Sequence, residues 1–394
     1  MRAFVNADVF TGDAVLTDKA VLVDDGRVID LITADHLTDD AEIIDLGGAS
    51  LVPGFVDMQA NGGGGILLND DASVNALRIV LDAHSKFGTT HLFPTVFTSK
   101  VEIMKELLHS AMELRREGDA RVAGIHFEGP IINPSKAGVH NKDNIRLADD
   151  EIIEIYLESA SKMPTLVTLA PEKVDGAVIE RLSKAGVLLF AGHTQATFDQ
   201  MAEATRAGLQ GVTHLYNACS GPSSREPGAV GYAMVDDSSF FSIIVDGFHV
   251  HFASVDAALR CKQPGRAFLV TDAMPALGSD QPTFSIDDLE VFVRDGRCQT
   301  PEGILAGSAL DKAPANRNCV QKVGVNRAEA IRMATMYPAD FAGLDDGAGR
   351  ISAGSPASFV ICDNEMHIAS VYVEGEKVFG QHNGAGGKEA MGGD

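Results

Sequence analysis

The chain has 394 residues, of which 45% are hydrophobic and 22% are charged, as is ordinary for a soluble globular protein. Its formal net charge of −23, from 55 acidic and 32 basic residues, disfavours nucleic acid and anionic membranes as partners and would require a local basic pocket for any anionic substrate. The five cysteines lack metal-binding spacing, and neither a membrane-spanning apolar run nor a secretory signal is present, so we expect a cytoplasmic protein.

The two ends of the chain have β-strand patterns. Within residues 1–49, the segment AVLVDDGRVIDLI contains two alternating strands around an Asp-Gly turn. Residues 350–382 contain SFVICD and SVYVEGEKVFG, which also have hairpin character. We therefore predict one small discontinuous β-sandwich domain, formed by residues 1–49 and 350–382, and a disordered tail at 383–394.

The middle of the chain, residues 50–349, alternates between strands and helices. Eight short apolar runs rich in β-branched residues cover 50–59, 89–97, 121–129, 165–171, 187–193, 211–217, 241–247 and 266–273. Helical patterns that end in glycine lie between most of them. This alternation predicts a (β/α)8 TIM-like barrel, with an open doubly wound sheet as the alternative. The segment LEVFVRDGRCQT (289–300) predicts a hairpin inserted after the eighth strand.

Polar residues stand at the carboxyl ends of several predicted strands, where barrel enzymes place their catalytic groups. They are Gln59, Glu128, His193, His214 and Asp272. Each could be an ordinary hydrogen-bonded residue at a strand end, but their joint occurrence favours a metal site. Two imidazoles and one carboxylate suffice for a catalytic zinc with an open position for water. Asp272 would accept a proton there, or would instead cap the helix after strand 8.

Nine segments in chain order carry a family resemblance. They are VPGFVDMQANG, HFEGPIINPSKAGVHN, AGHTQATFDQM, GVTHLYNACS, REPGAVG, VDGFHVH, LVTDAMPALG, GILAGSAL and GRISAGSPASFVICD. The chain resembles the amidohydrolase superfamily and, within it, the N-acetylglucosamine-6-phosphate deacetylase family. The resemblance implies hydrolysis of N-acetyl-D-glucosamine 6-phosphate to D-glucosamine 6-phosphate and acetate. It also implies one divalent metal ion per chain, held by Glu128, His193 and His214; zinc is favoured, and iron, cobalt or manganese would also suit such a site.

The resemblance implies roles for the other site residues as well. Asp272 would act as general base and then as general acid, and His140 would contact the substrate near the reacting amide. The implied substrate contacts are Gln59, His140, Asn217, Ala218, Arg225 and His249. Of these, Asn217 and Ala218 would meet the sugar phosphate largely through backbone groups. In this family the arginine often reaches in from a neighbouring subunit, so the resemblance implies a homodimer.

Simpler explanations remain for some of these histidines and for the arginine. Arg225 could form a loop salt bridge, and His249 could be a histidine at the edge of the core. We expect His91, His126 and His251 to be structural.

Gln59 and Asn61 occupy the positions where binuclear amidohydrolases carry His-x-His. A neutral amide oxygen competes poorly with imidazole for zinc, so the sequence predicts a single metal, with Gln59 orienting water or filling the vacant site. The alternative functions are an N-acetylgalactosamine-6-phosphate deacetylase, a cyclic amidase or an N-acyl amino acid hydrolase. The last two usually retain His-x-His and often a carboxylated lysine on strand 4, which TLVTLAP lacks. A non-catalytic binding protein would have no need of both histidines, Glu128 and Asp272.

Overall fold

The computed structural model describes residues 1–38 and 41–380; the predicted tail at 383–394 and the last two residues of the predicted sandwich lie outside these ranges. The strands are β1 (Arg2–Phe10), β2 (Val15–Leu16), β3 (Lys19–Asp24), β4 (Arg27–Thr33), β5 (Glu42–Pro53), β6 (Phe55–Ala60), β7 (Gly62–Gly63), β8 (Ile66–Leu67), β9 (Thr89–Phe97), β10 (Ile125–Glu128), β11 (Thr165–Leu169), β12 (Leu188–Ala191), β13 (Gly211–Val212), β14 (Phe240–Ile243), β15 (Ala267–Leu269), β16 (Thr283–Ile286), β17 (Leu289–Arg294), β18 (Arg297–Gln299), β19 (Leu305–Ser308), β20 (Phe359–Cys362), β21 (Ile368–Val373) and β22 (Glu376–Gly380).

The α-helices lie mainly between the strands of the central region. They are α1 (Val74–Ser85), α2 (Val101–Arg116), α3 (Asp150–Ala160), α4 (Gly176–Lys184), α5 (Phe198–Ala207), α6 (Gly228–Val235), α7 (Phe252–Arg260), α8 (Lys312–Asn318), α9 (Arg327–Ala334) and α10 (Met336–Ala342). Within the described ranges, none of them is both long enough and apolar enough to cross a bilayer.

The two chain ends meet in one mixed sheet with the order β22-β21-β20-β5-β1-β3-β4, and β2 pairs with β1. The sheet curls onto itself, because the Ala357 amide donates to the Gly26 carbonyl oxygen in the β3–β4 turn at 2.8 Å. Aromatic rings fill its interior: the Phe4 ring centroid lies 4.8 Å from that of Phe359 and 5.1 Å from that of Tyr372. The hairpin predicted around the Asp-Gly turn is therefore confirmed as β3 and β4.

The central region is a barrel of eight parallel strands in the order β6-β9-β10-β11-β12-β13-β14-β15. It closes between its last and first strands, where the Asp272 amide donates to the Gln59 carbonyl oxygen at 3.0 Å and Ala60 pairs with Ala273. The predicted (β/α)8 barrel is confirmed, and the closure excludes the open doubly wound sheet.

A buried ion pair supports this closure. The Lys312 ammonium lies 3.4 Å from Asp57 Oδ1, and both side chains are fully buried. Asp57 Oδ2 accepts a 2.6 Å hydrogen bond from the Thr271 hydroxyl, one residue before Asp272. Asp57 on the first strand thus fixes the segment that leads from the eighth strand to Asp272.

A four-stranded antiparallel sheet, β16-β17-β18-β19, is inserted after the eighth strand and contains the predicted 289–300 hairpin as β17 and β18. Its last strand joins the barrel, because the Ser308 amide donates to the Asp272 carbonyl oxygen at 2.9 Å. The Arg297 guanidinium lies 4.1 Å from the centroid of the Phe248 ring. The insertion therefore forms a wall beside the carboxyl ends of the barrel strands.

Candidate active site

Four predicted residues lie where barrel strands end. Glu128 is the last residue of β10, and His193, His214 and Asp272 follow β12, β13 and β15. The last three have left-handed backbones, with φ of 48°, 34° and 52°. Such angles are uncommon for residues other than glycine and cluster at functional sites. The three residues lie two or three positions beyond the ends of their strands, and with Glu128 they line one cavity.

The two imidazoles converge on one carboxylate oxygen. Glu128 Oε1 lies 3.0 Å from His193 Nε2 and 2.8 Å from His214 Nε2, and all three side chains are buried. Burial alone would raise the pKa of Glu128, but the two imidazoles hold that pKa well below its usual range. Burial lowers the pKa of His214, yet its contacts with Glu128 outweigh this and raise it overall. The cluster therefore holds an ionised carboxylate in a buried setting.

This donor set fits a divalent cation. His193 Nδ1 lies 2.8 Å from the Lys136 carbonyl oxygen, which can only accept, so Nδ1 carries a proton. Nε2, the other nitrogen of the ring, is then available to bind a cation together with Glu128 Oε1, which lies 3.0 Å away. A second contact that fixes the tautomer in this way is typical of metal-binding histidines.

His140 lies close enough to be considered as a further ligand. The ligand atoms of Glu128, His140 and His193 all lie within 4.8 Å of one another, and the His140 ring centroid is 4.1 Å from that of His193. His140 Nδ1, however, lies 2.7 Å from the Thr98 hydroxyl oxygen. Burial and the neighbouring His193 keep the pKa of His140 well below its usual range, so this ring is neutral. We favour His214 as the third ligand because its Nε2 meets the same oxygen as His193 Nε2.

Asp272 receives two amide donors from the first barrel strand and the residue beyond it. Asp272 Oδ1 accepts from Asn61 Nδ2 at 2.6 Å and from Gln59 Nε2 at 3.1 Å. Burial and the negative charge of Glu128 raise the pKa of Asp272 to about 6. The two amides therefore orient the carboxylate through Oδ1.

These side chains surround a cavity of about 530 Å³ at the carboxyl end of the barrel. Its lining includes the four strand-end residues, His140, the predicted substrate contacts Asn217, Ala218 and His249, and residues of the inserted sheet such as Ile304 and Leu305. A cavity of this size suits a small ligand. His249 is held there by Asp246, whose Oδ2 lies 2.6 Å from His249 Nδ1.

Two predicted substrate contacts lie elsewhere. Gln59 is buried beneath Asp272 and is not among the described residues that line the cavity, so its place is that of a hydrogen-bond donor to Asp272. Arg225 lies in an exposed loop and likewise does not line the cavity within this chain. A single chain thus does not bring Arg225 to the site.

The three histidines expected to be structural have local partners. His126 Nε2 contacts the Thr168 hydroxyl at 2.8 Å, and His91 Nδ1 contacts the Thr90 hydroxyl at the same distance. His251 Nδ1 accepts from the Ala253 amide and caps α7.

Three supporting side chains were not found from the sequence. Thr98 contacts His140, and Lys136 lines the cavity. Glu172 accepts from Asn133 Nδ2 at 2.9 Å and from the Thr194 hydroxyl at 2.5 Å, which joins the loops that follow β10, β11 and β12. None of them stands at the carboxyl end of a predicted barrel strand, where the candidate residues were sought. The donor role of Asn61 was not predicted either, because the sequence showed only that Asn61 fills the second position of the His-x-His pattern.

Replacing Asn61 with leucine should lower kcat for the hydrolysis that the family resemblance implies by about tenfold, while the metal content stays unchanged. The change removes the shorter of the two hydrogen bonds to Asp272, and hydrogen bonds to charged groups contribute about 1.5–3 kcal/mol. Steady-state kinetics together with metal analysis of Asn61→Leu test this. A variant with the kcat of the parent protein would show that Asn61 does not support Asp272.

Comparison of the sequence with known proteins identifies the family of the chain. The sequence model of the amidohydrolase family matches residues 50–378, and that of the NagA composite domain matches residues 1–51. The chain belongs to the amidohydrolase family. The resemblance noted from its motifs is thereby confirmed, and members of this superfamily depend on metal ions.

Curated relatives match the chain over nearly its whole length. An N-acetylgalactosamine-6-phosphate deacetylase of Shewanella sp. (strain ANA-3) is 37% identical over 377 residues and covers 95% of each chain. An N-acetylglucosamine-6-phosphate deacetylase of Haemophilus influenzae is 32% identical, covering 95% of this chain and 98% of the relative.

Solved structures of this amidohydrolase group superpose closely. N-acetylglucosamine-6-phosphate deacetylase from Pasteurella multocida has a TM-score of 0.92 at 34% identity, covering 95% of this chain and 99% of the other. A mutant of the Mycobacterium smegmatis deacetylase, in complex with N-acetyl-D-glucosamine-6-phosphate, has a TM-score of 0.86 at 31% identity, covering 96% and 99%.

Proposed function

We propose that this protein is a metal-dependent deacetylase that hydrolyses N-acetyl-D-glucosamine 6-phosphate to D-glucosamine 6-phosphate and acetate. The observation that carries the proposal is the approach of two imidazole nitrogens to Glu128 Oε1, at 3.0 and 2.8 Å, in a cavity that also contains Asp272. A buried carboxylate with two imidazoles is the donor set of a hydrolytic metal centre, and a second carboxylate beside it can carry a proton.

Glu128, His193 and His214 would hold one divalent ion, for which zinc is favoured. When bound, such an ion supplies a water of lowered pKa and polarises the carbonyl oxygen of an amide. Gln59 and Asn61 support the assignment of one metal, because both direct their amide nitrogens at Asp272.

Asp272 is the proton carrier in this proposal. It must be ionised to take up a proton from the attacking water and must then return that proton to the departing amine nitrogen. Its two amide donors stabilise the ionised form and fix Oδ1, so that Oδ2 moves the proton.

His140 stabilises the charge that develops on the acetyl oxygen. If the Thr98 hydroxyl donates to Nδ1 across their 2.7 Å contact, Nε2 carries the proton and can donate to that oxygen. Donors placed where charge develops usually make a large contribution to acyl transfer.

The substrate could carry either configuration at C4 of the sugar, gluco or galacto. Curated relatives at 37% and 34% identity are named for N-acetylgalactosamine 6-phosphate, whereas one at 32% identity and the Pasteurella multocida structure at 34% identity are named for N-acetylglucosamine 6-phosphate. The galacto epimer is therefore the second candidate substrate. Zinc, a homodimer in which Arg225 reaches the neighbouring cavity, and a cytoplasmic location complete the proposal.

The proposed function is tested by measuring amide hydrolysis across a panel of substrates, as acetate release from the N-acetyl sugars and as ring opening of a cyclic amide. The panel contains N-acetylglucosamine 6-phosphate, its galacto epimer, unphosphorylated N-acetylglucosamine and a cyclic amide such as dihydroorotate. We expect the highest kcat/KM with a phosphorylated N-acetyl sugar. Turnover of the cyclic amide but not of either sugar phosphate, with the metal fully loaded, would reject the deacetylase.

A further inference from the structure

The cavity lining carries little positive charge for a protein that is to bind a phosphate. Two carboxylates line it, Glu128 and Asp272, and the net charge of the whole chain is −23. Among the described lining residues, Lys136 is the one lysine or arginine. A phosphate dianion that enters this cavity therefore meets a single permanent cation from the same chain.

Lys136 is held firmly in position relative to the metal ligands. Its carbonyl oxygen lies 2.8 Å from His193 Nδ1, and it ends a short 3-10 helix, Pro134–Lys136, that Asn133 caps. The Asn133 amide in turn donates to the His193 carbonyl oxygen at 2.9 Å. The 133–136 turn is thus hydrogen-bonded to His193 at both of its ends, through the Asn133 backbone amide and the Lys136 carbonyl oxygen.

The side chain of Lys136 points to the turn that was expected to receive the phosphate. Its ammonium donates to the Cys219 carbonyl oxygen at 3.1 Å, directly after Asn217 and Ala218. That acceptor is neutral, and no carboxylate of the described residues forms an ion pair with Lys136. An ammonium has three donors, so two remain for an anion.

Arg225 does not fill this role within one chain, because it lies in an exposed loop outside the cavity lining. Any contribution from Arg225 has to come from a neighbouring subunit. Lys136, in contrast, is partly buried at the cavity wall, where screening by salt is weaker than at the surface.

We propose that Lys136 is the phosphate anchor supplied by the chain's own cavity, which binds the 6-phosphate of the sugar beside the 217–219 turn. The inference rests on the proposed function and adds a residue to it that determines specificity for phosphorylated substrates. It predicts that charge at position 136 controls KM for the phosphorylated substrate, whereas the reacting end of the cavity controls kcat.

The test compares the metal-loaded parent protein with Lys136→Met, Lys136→Arg and the control Lys142→Met. Lys142 is exposed on the same loop and does not line the cavity. In Lys136→Met we expect KM for N-acetylglucosamine 6-phosphate, and the inhibition constant of inorganic phosphate, to rise about 10- to 100-fold. Metal content and kcat/KM for unphosphorylated N-acetylglucosamine should stay within about threefold. Lys136→Arg should recover most of the affinity, and Lys142→Met should match the parent.

Two results would overturn the proposal. One is an unchanged KM and inhibition constant in Lys136→Met, and the other is an equal loss for both sugars, which indicates a structural role for the turn. If the parent protein releases no acetate, the proposed function fails separately. In that case, the binding of inorganic phosphate to the parent and to Lys136→Met, measured by calorimetry, tests the role of Lys136. Loss of binding in Lys136→Met supports the phosphate anchor. Equal binding in both proteins, or binding in neither, rejects it.

Discussion

Replacing Asp272 with asparagine is expected to lower kcat by about 10²- to 10⁴-fold, the usual contribution of a general acid–base group. Asparagine keeps the shape of the side chain and can still accept from Asn61, but it cannot take up and return a proton. Asp272 is not one of the three proposed ligands, so about one metal per chain should remain bound. Substrate affinity should change by only a few-fold.

Three measurements on Asp272→Asn separate these effects: kcat, metal content and equilibrium binding of N-acetylglucosamine 6-phosphate. Asp143→Asn is the matched control, since Asp143 is exposed on the loop that carries His140 and does not line the cavity. A near-normal kcat in Asp272→Asn would remove Asp272 from the chemistry. A loss of metal in that variant would make it a ligand instead.

Replacing Glu128 with glutamine is expected to abolish turnover through loss of the metal. Glu128 is the single carboxylate of the proposed donor set, and its Oε1 contacts both imidazoles. A neutral amide oxygen is a much weaker ligand for a divalent ion. The metal content should fall from about one per chain to near zero in dilute buffer, and kcat should fall by at least about 10³-fold, because the activated water is lost with the ion.

Elemental analysis and kinetics of Glu128→Gln test this together. Glu151→Gln is the matched control, because Glu151 is exposed on α3, away from the cavity. If activity returns when the variant is assayed in excess zinc, weakened metal binding is the cause. A fully loaded Glu128→Gln protein with normal activity would refute the proposed ligand set.

The barrel could be predicted because each of its strands is a short apolar run that the neighbouring helices bury. The boundaries were less accurate where contacts distant in sequence decide them. The apolar run through residues 50–59 continues across Gly54, yet the structure divides it: β5 belongs to the small sheet up to Pro53, and β6 begins the barrel at Phe55. At Gly54 a Cβ atom would lie 2.0 Å from the Thr90 hydroxyl oxygen, so only glycine fits this crossing.

The sixth strand shows a second limit. Residues 211–217 read as one strand, but β13 ends at Val212, and His214 and Tyr216 have positive φ. The hydrophobic pattern cannot reveal backbone angles that the site itself imposes.

The proposed metal ligands could be brought together from the sequence because they stand at strand ends, where position follows from the fold. The supporting residues could not. Lys136 and Glu172 lie in loops whose course depends on packing between distant segments, and no local periodicity encodes a contact such as that between Lys136 and Cys219. The hydrogen bond from Gln59 could not be predicted, because its partner Asp272 lies just beyond the eighth strand, 213 residues away in the sequence.

The central claim, a deacetylase with one metal per chain, is tested most directly by zinc titration of metal-free protein. Zinc is added in steps of less than one equivalent, and acetate release from N-acetylglucosamine 6-phosphate is measured after each step. We predict that activity rises linearly and reaches a plateau at about one zinc per chain. A plateau at two equivalents would contradict the single-metal site, and no acetate at any zinc level, with the ion shown to be bound, would contradict the deacetylase.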